Sequence, residues 1–153
     1  MVATRRTREW LRVVGATAAI TAVSILAVSC GRSEAQQREM HYMTKTYLFT
    51  IVPSETQPHA RGEMTYKFFI RDRDTREPIQ NGEGQIYANN KEGARTWDGF
   101  TYGPEVGTYY GKLNFVTSGL WAIGFRFRRD SLHPLEKQEW MQEVLNERPS
   151  ATP

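Results

Sequence analysis

Alternation of apolar and polar residues constrains the fold of this 153-residue chain more than any other feature. It runs through four segments, residues 45–52, 64–72, 108–116 and 120–129, and a shorter one surrounds Ile86. A period of two, with aromatic and β-branched residues on one side, indicates strands that bury a single face. Such faces must be buried against each other. We therefore predict an all-β fold, an immunoglobulin-like antiparallel β-sandwich, over residues 44–130.

Glycine, proline, asparagine and serine separate these segments, as expected for turns. The short stretch Thr117-Ser118-Gly119 lies between the last two strong segments. Its length and composition predict a hairpin connection of three to four residues between them.

After Asp130 the pattern changes. Residues 135–147, LEKQEWMQEVLNE, are good helix formers, and Pro134 suits the first turn of a helix. Four apolar residues recur there at helical spacing: Trp140, Met141, Val144 and Leu145. We therefore predict a C-terminal helix and tail over residues 131–153.

The first 29 residues are typical of an export signal. Arginines are concentrated in residues 5–12, and residues 13–29 carry no charge. The sequence Leu-Ala-Val-Ser before Cys30 resembles the end of a bacterial lipoprotein signal, in which small residues precede the cysteine that receives the lipid. An uncleaved signal-anchor helix and a plain secretion signal are the alternatives.

Cys30 is the only cysteine, so no intrachain disulfide forms, and lipidation accounts for its position. We expect diacylglycerol and acyl groups such as palmitate on Cys30, and a polar tether over residues 30–43. The protein is then anchored to membrane lipid outside the cytoplasm, on the outer face of the inner membrane or on the outer membrane.

The net charge of +3 arises entirely from the leader, which holds four arginines and one glutamate. The remainder of the chain is formally neutral. A neutral domain has no electrostatic basis for binding nucleic acid.

Several short motifs in the middle of the chain follow a familiar order. Asp72-Arg73-Asp74 precedes Glu77-Pro78-Ile79, and Val106-Gly107-Thr108-Tyr109 is later followed by Ser118-Gly119-Leu120-Trp121. Over residues 45–130 this order resembles the YtkA-like and FixH-like extracytoplasmic domains. The resemblance implies a small sandwich at the outer face of a membrane, and an association with copper handling and respiratory oxidase assembly.

Met40, His41 and Met43 form a candidate metal site, because thioether and imidazole ligands suit Cu(I). Met64 and His59 would join them if the fold brought them near. The alternative is a polar tether in which these residues are merely adjacent.

Aromatic and apolar residues outside the strong strands are candidates for contact with a partner protein: Trp97, Phe100, Tyr102, Trp140 and Val144. The same residues would otherwise seal one end of the sandwich or pack a terminal helix.

Catalytic motifs are missing: the sequence has no Gly-x-Ser-x-Gly, no His-Glu-x-x-His and no P-loop. We therefore expect no enzyme activity and no cofactor apart from the covalent lipid. The predicted function is a lipid-anchored binding or accessory module for a membrane or envelope protein complex, such as a membrane redox complex. A copper-binding chaperone of the cell envelope, linked to oxidase assembly, is the alternative. A hydrolase whose site is assembled from distant residues is a third hypothesis.

Overall fold

The computed structural model describes residues 38–149, which contain nine β-strands and no helix. The strands are β1 Met40–Met43, β2 Tyr47–Pro53, β3 Gly62–Asp72, β4 Glu83–Asn90, β5 Arg95–Gly99, β6 Thr101–Tyr102, β7 Thr108–Phe115, β8 Gly119–Arg128 and β9 Glu136–Val144.

Two antiparallel sheets contain these strands. The first sheet has the order β1-β2-β3-β7-β6, and the second has the order β5-β4-β8-β9. Register is continuous along the long pairs: Phe49 of β2 lies opposite Ile70 of β3, and Ile86 of β4 lies opposite Phe125 of β8. The predicted β-sandwich is confirmed at this level.

Alternation in the sequence explains the core. Every second residue of β2, β3, β7 and β8 is buried, and the largest of these side chains are Trp121, Tyr47, Tyr66, Tyr109, Phe49, Phe68, Phe115, Phe125 and Phe127. Their rings pack edge-on or tilted against each other across the two sheets, as in Phe49 with Phe125 at a centroid distance of 4.5 Å. This aromatic layer holds the sheets together, because each large ring removes much apolar surface from water.

The predicted C-terminal helix is wrong. Residues 136–144 form β9, which pairs with β8 from Gly119 opposite Val144 to Phe127 opposite Glu136. Helix-forming residues adopt a strand here because β8 offers an unpaired edge over nine positions, and tertiary pairing overrides local propensity. Trp140, taken as part of a helical stripe, instead faces the first sheet.

The predicted tether is also too long. Met40–Met43 form β1, which pairs with β2 from Met40 opposite Ile51 to Met43 opposite Leu48. The sandwich therefore begins four residues earlier than expected. The predicted signal peptide, Cys30 and residues 31–37 of the predicted tether lie outside the described residues.

The predicted hairpin at Thr117-Ser118-Gly119 is wrong as well. β7 pairs with β3 and β6, whereas β8 pairs with β4 and β9. These residues therefore carry the chain from one sheet to the other, and Thr117 accepts a hydrogen bond from the buried Trp121 indole at 3.1 Å. Within residues 38–149, no helix is long and apolar enough to cross a membrane.

Candidate functional site

On one side of the sandwich, hydrogen bonds between β5 and β7 join the two sheets. β6 pairs only with Tyr109 and Tyr110, so the edge of β7 is free beyond them. Side chains of β5 fill this gap: Asp98 accepts a hydrogen bond from the backbone N–H of Lys112 at 2.9 Å, and Thr96 accepts one from Asn114 at 3.2 Å. Unpaired edge donors are thereby satisfied, which leaves this side no open edge along β7.

The opposite side, between β1 and β9, is fastened only at its ends. At one end the Glu136 carboxylate accepts a hydrogen bond from the backbone N–H of Thr46 at 3.1 Å. At the other end Ala60 and Leu145 are joined through an N–H to carbonyl bond of 2.8 Å, and Leu145 donates to the Pro58 carbonyl at 2.9 Å. Glu136 is held as a carboxylate: burial acts to raise its pKa, but donors from Thr44 to Thr46 outweigh burial and lower it.

Between these two ends lies a cavity of about 420 Å³, here called the β1–β9 cleft. Its walls include Met40 and Tyr42 of β1, Met64 and Tyr66 of β3, and Trp140 of β9. Tyr42 stacks on Trp140 with a centroid distance of 5.7 Å, and Tyr66 meets the same ring edge-on at 6.1 Å. Its volume is typical of small-molecule sites, and its walls combine aromatic and thioether side chains with polar ones.

Two side chains that line the β1–β9 cleft carry a hydrogen-bonding group with no partner among the described residues: the Tyr66 hydroxyl and the Trp140 indole Nε1. Tyr66 is 1% exposed, so water has little access to the phenol ring from outside. Burial raises the pKa of Tyr66, which keeps the hydroxyl protonated. Buried polar groups without partners are rare in folded proteins, and each calls for an explanation.

A second feature is an apolar strip on the outer face of the second sheet, here called the outer band and formed by Trp97, Tyr87, Ala122, Met141 and Leu120. Register places them together: Trp97 lies opposite Tyr87, and Ala122 lies opposite Met141. Trp97 is 70% exposed. Large exposed apolar side chains on one face indicate a contact surface.

Tyr87 is fixed at the centre of the outer band. Its ring lies over Gly124, where an added Cβ would come within 2.7 Å of the Tyr87 Cζ atom. Its hydroxyl donates to the Glu139 carboxylate at 2.7 Å. Partial burial, together with this hydrogen bond, raises the pKa of Tyr87 to about 12.

The predicted metal residues do not form one site. Strand alternation directs Met40 into the β1–β9 cleft, whereas His41 and Met43 are exposed on the other face of β1. The His41 ring is within hydrogen-bond distance of the Thr50 hydroxyl, at 3.3 Å. His59 is also engaged elsewhere, with the Asn146 carbonyl at 2.8 Å. The structure instead brings Met40 together with Met64. Residues 38–149 contain no cluster of three or more His, Cys, Asp or Glu side chains suited to a metal.

The predicted contact residues divide into two groups. Trp97 and Tyr102 are 70% and 61% exposed, so both are available to a partner. Phe100 instead packs against the core, with its ring 4.5 Å from that of Phe68, and Val144 is 1% exposed. Trp140 is half-buried in the wall of the β1–β9 cleft.

The sequence analysis did not single out Tyr66, which lies in the alternating segment 64–72 as one more inward-facing strand residue. The available signal was its hydroxyl: a tyrosine at a core position needs a partner, so each one marks a polar contact to be found.

Comparison with known proteins supports the fold alone. No protein-family model and no curated protein matches the chain. Among solved structures, the chain is similar to a DUF4426 family protein from Pseudomonas aeruginosa PAO1, with a TM-score of 0.55 and 10% sequence identity. That similarity covers 72% of this chain and 97% of the other. At this identity, the shared feature is the two-sheet architecture.

Proposed function

We propose that this protein is a lipid-anchored extracytoplasmic binding module with an immunoglobulin-like sandwich, and that it binds an envelope or membrane protein without catalysing a reaction. The observation that carries the proposal is the outer band. Trp97 stands exposed at one end of it, and Leu120 and Met141 lie at the other. Tryptophan and methionine are enriched in protein interfaces and scarce on free surfaces.

Charges around the outer band support a protein partner. Lys137, Glu139 and Glu143 alternate along β9 with Met141 and are exposed, and Arg95 lies beside Trp97 on β5. An apolar centre with a rim of both charge signs is the usual composition of a protein–protein interface. It offers no continuous basic surface to a nucleic acid.

Co-purification tests the outer band. The full-length chain is expressed in its native membrane, extracted, and compared with Trp97→Ala and with Leu132→Ala, which removes another exposed apolar side chain outside the band. Loss of a tryptophan anchor weakens binding by roughly tenfold or more. We expect Trp97→Ala to lose the partner and Leu132→Ala to keep it. Recovery of the wild type as a lone chain, or equal retention by both variants, would contradict the proposal.

Intact mass tests the anchor. We expect membrane-extracted protein to have the mass of the chain from Cys30 plus acyl groups, and Cys30→Ala to lack them. An unprocessed full-length mass would favour the signal-anchor helix instead.

A copper-binding chaperone is the second candidate, because Met40 and Met64 line the same cleft beside Trp140. Two thioethers suit a soft monovalent cation, and an indole face adds a cation–π attraction. We expect Cu(I) binding in competition with a chelator to be lost in Met40→Leu and Met64→Leu. Met43→Leu is the matched control, because Met43 points away from the cleft. Binding weaker than micromolar in the wild type would end this candidate.

A further inference from the structure

Four buried side-chain polar atoms in residues 38–149 have no hydrogen-bond partner, and two of them, the Tyr66 hydroxyl and Trp140 Nε1, belong to side chains that line the β1–β9 cleft. Other buried tyrosines of this fold are satisfied. The Tyr109 hydroxyl donates to the Ile79 carbonyl at 2.8 Å, and the Tyr47 hydroxyl accepts from the backbone N–H of Arg129 at 3.0 Å. The sandwich can therefore pair a core tyrosine, and two of the four unpaired atoms belong to side chains that line one cavity.

The unpaired groups define the chemistry of an occupant. An indole N–H only donates, and a protonated phenol beside it supplies a second donor. A molecule that accepts a hydrogen bond from both must present an acceptor atom, such as a carboxylate or carbonyl oxygen. Among the described residues that line the cleft, Arg38 carries the one formal charge, and it is positive. A carboxylate or carbonyl fits this environment, and an ammonium group does not.

One wall of the cleft favours an apolar body, whereas Thr56, Gln57 and Gln142 contribute polar lining elsewhere. Met40 and Met64 provide flexible, polarisable side chains, and Tyr42 and Trp140 provide a stacked aromatic wall. The cavity volume of about 420 Å³ admits a small molecule and excludes a two-chain phospholipid.

We propose that the β1–β9 cleft binds a small apolar molecule through a carboxylate or carbonyl oxygen, which accepts hydrogen bonds from Trp140 Nε1 and the Tyr66 hydroxyl. Met141 borders both the cleft and the outer band, but neither Tyr66 nor Trp140 belongs to the outer band, so the two proposals are tested independently.

Fluorine NMR of the full-length protein in lipid nanodiscs tests this site. Tryptophan is replaced by 5-fluorotryptophan, and the signals of Trp140 and Trp97 are assigned by loss in Trp140→Phe and Trp97→Phe. Three probes of equal chain length are titrated: octanoate, octanamide and octylammonium. We expect octanoate and octanamide to shift the Trp140 signal saturably, octylammonium to leave it unchanged, and the Trp97 signal to stay constant throughout.

Tyr66→Phe supplies the matched variant. It removes one donor and keeps the ring, so we expect octanoate to bind about tenfold more weakly. Tyr102→Phe, far from the cleft on β6, should bind like the wild type. Unchanged signals of the other tryptophans show that each variant is folded.

Three outcomes would overturn the inference. An equal response to octylammonium means that the cleft takes apolar chains without using its donors. No shift at millimolar probe means that water alone occupies it. A shift with Ag(I), as a stand-in for Cu(I), combined with no response to the carboxylate, assigns the cleft to a soft metal.

Discussion

Replacing Tyr66 with phenylalanine is expected to stabilise the unligated protein. In the folded state the Tyr66 hydroxyl has lost water and has no partner among the described residues. In the unfolded state it is hydrated. Tyr66→Phe removes only this hydroxyl, so the folded state no longer carries the penalty of an unpaired polar group.

The magnitude follows from that penalty. A buried hydroxyl without a partner costs about 1–3 kcal/mol. The ring of Tyr66 is already 1% exposed, so the substitution changes little apolar burial. We expect the free energy of unfolding to rise by about 1–2 kcal/mol. For a domain of roughly 100 residues, each 1 kcal/mol corresponds to a Tm increase of about 4–8 °C.

Tyr109→Phe is the control, for which we expect the free energy of unfolding to fall. Tyr109 is also 1% exposed, but its hydroxyl donates to the Ile79 carbonyl and accepts from the backbone N–H of Gly82 at 3.1 Å. The same atom is removed, and two buried backbone groups lose their partner, so we expect a loss of roughly 2–3 kcal/mol.

Equilibrium urea unfolding, followed by tryptophan fluorescence, measures both variants against the wild type. The comparison requires that the variants and the wild type have the same m-value, which is the slope of the free energy of unfolding against urea concentration. If Tyr66→Phe destabilised the protein as much as Tyr109→Phe does, the Tyr66 hydroxyl would have a partner in solution, and the reasoning about the cleft would fail.

Three further predictions concern the rest of the sandwich. Asp98→Ala removes the acceptor of the exposed backbone N–H of Lys112 and should lower the free energy of unfolding by about 0.5–1.5 kcal/mol in urea titrations. Gly124→Ala pushes the Tyr87 ring off the sheet and should lower stability by about 1–3 kcal/mol, and ultraviolet titration should find the Tyr87 pKa reduced from about 12. The pKa of Glu136 lies below its ordinary value of 4.5, so the stability that its carboxylate contributes is present above about pH 4.5 and is lost as the pH falls through the lower pKa of the folded state. In Glu136→Gln, the free energy of unfolding should depend less on pH in this range, as measured by urea unfolding at several pH values.

Most of the sandwich could be predicted because four strands bury large side chains at every second position. In β2 the residues Tyr47, Phe49 and Ile51 are all buried, and polar or half-exposed residues separate them. A segment with one apolar face and one solvent-exposed face is expected to form a strand, and its apolar face needs a second sheet to cover it.

Pairing between strands could not be predicted in the same way. The stretch between Phe115 and Gly119 has the length of a hairpin, yet it joins two different sheets. Turn composition describes the local reversal of the chain and carries no information on which neighbour each strand selects. β1 was missed for a related reason: its four residues alternate, but two of them are exposed and the run is too short to stand out.

The candidate site was only partly predictable. Trp140 and Met40 were identified from composition, but with the wrong structure around each of them. The β1–β9 cleft draws its walls from strands that are far apart in the sequence, and a single sequence does not encode such proximity. The separation of Met40 from His41 follows directly from strand alternation, once the segment is known to be a strand.

The failed helix prediction and the existence of the β1–β9 cleft have the same physical origin. Three of the residues that β9 turns toward the first sheet are polar, Glu136, Gln138 and Gln142. Because they interrupt the apolar alternation, the segment has no strand signature and resembles a helix. For the same reason β9 cannot close against β1 through continuous apolar packing. Trp140 stacks on Tyr42 of β1, and hydrogen bonds join the two ends of the β9 segment to loop residues Thr46 and Pro58–Ala60. A larger apolar residue at one of these positions, such as Gln142→Phe, would strengthen the strand signature and narrow the cleft at once, at the expense of the site proposed there.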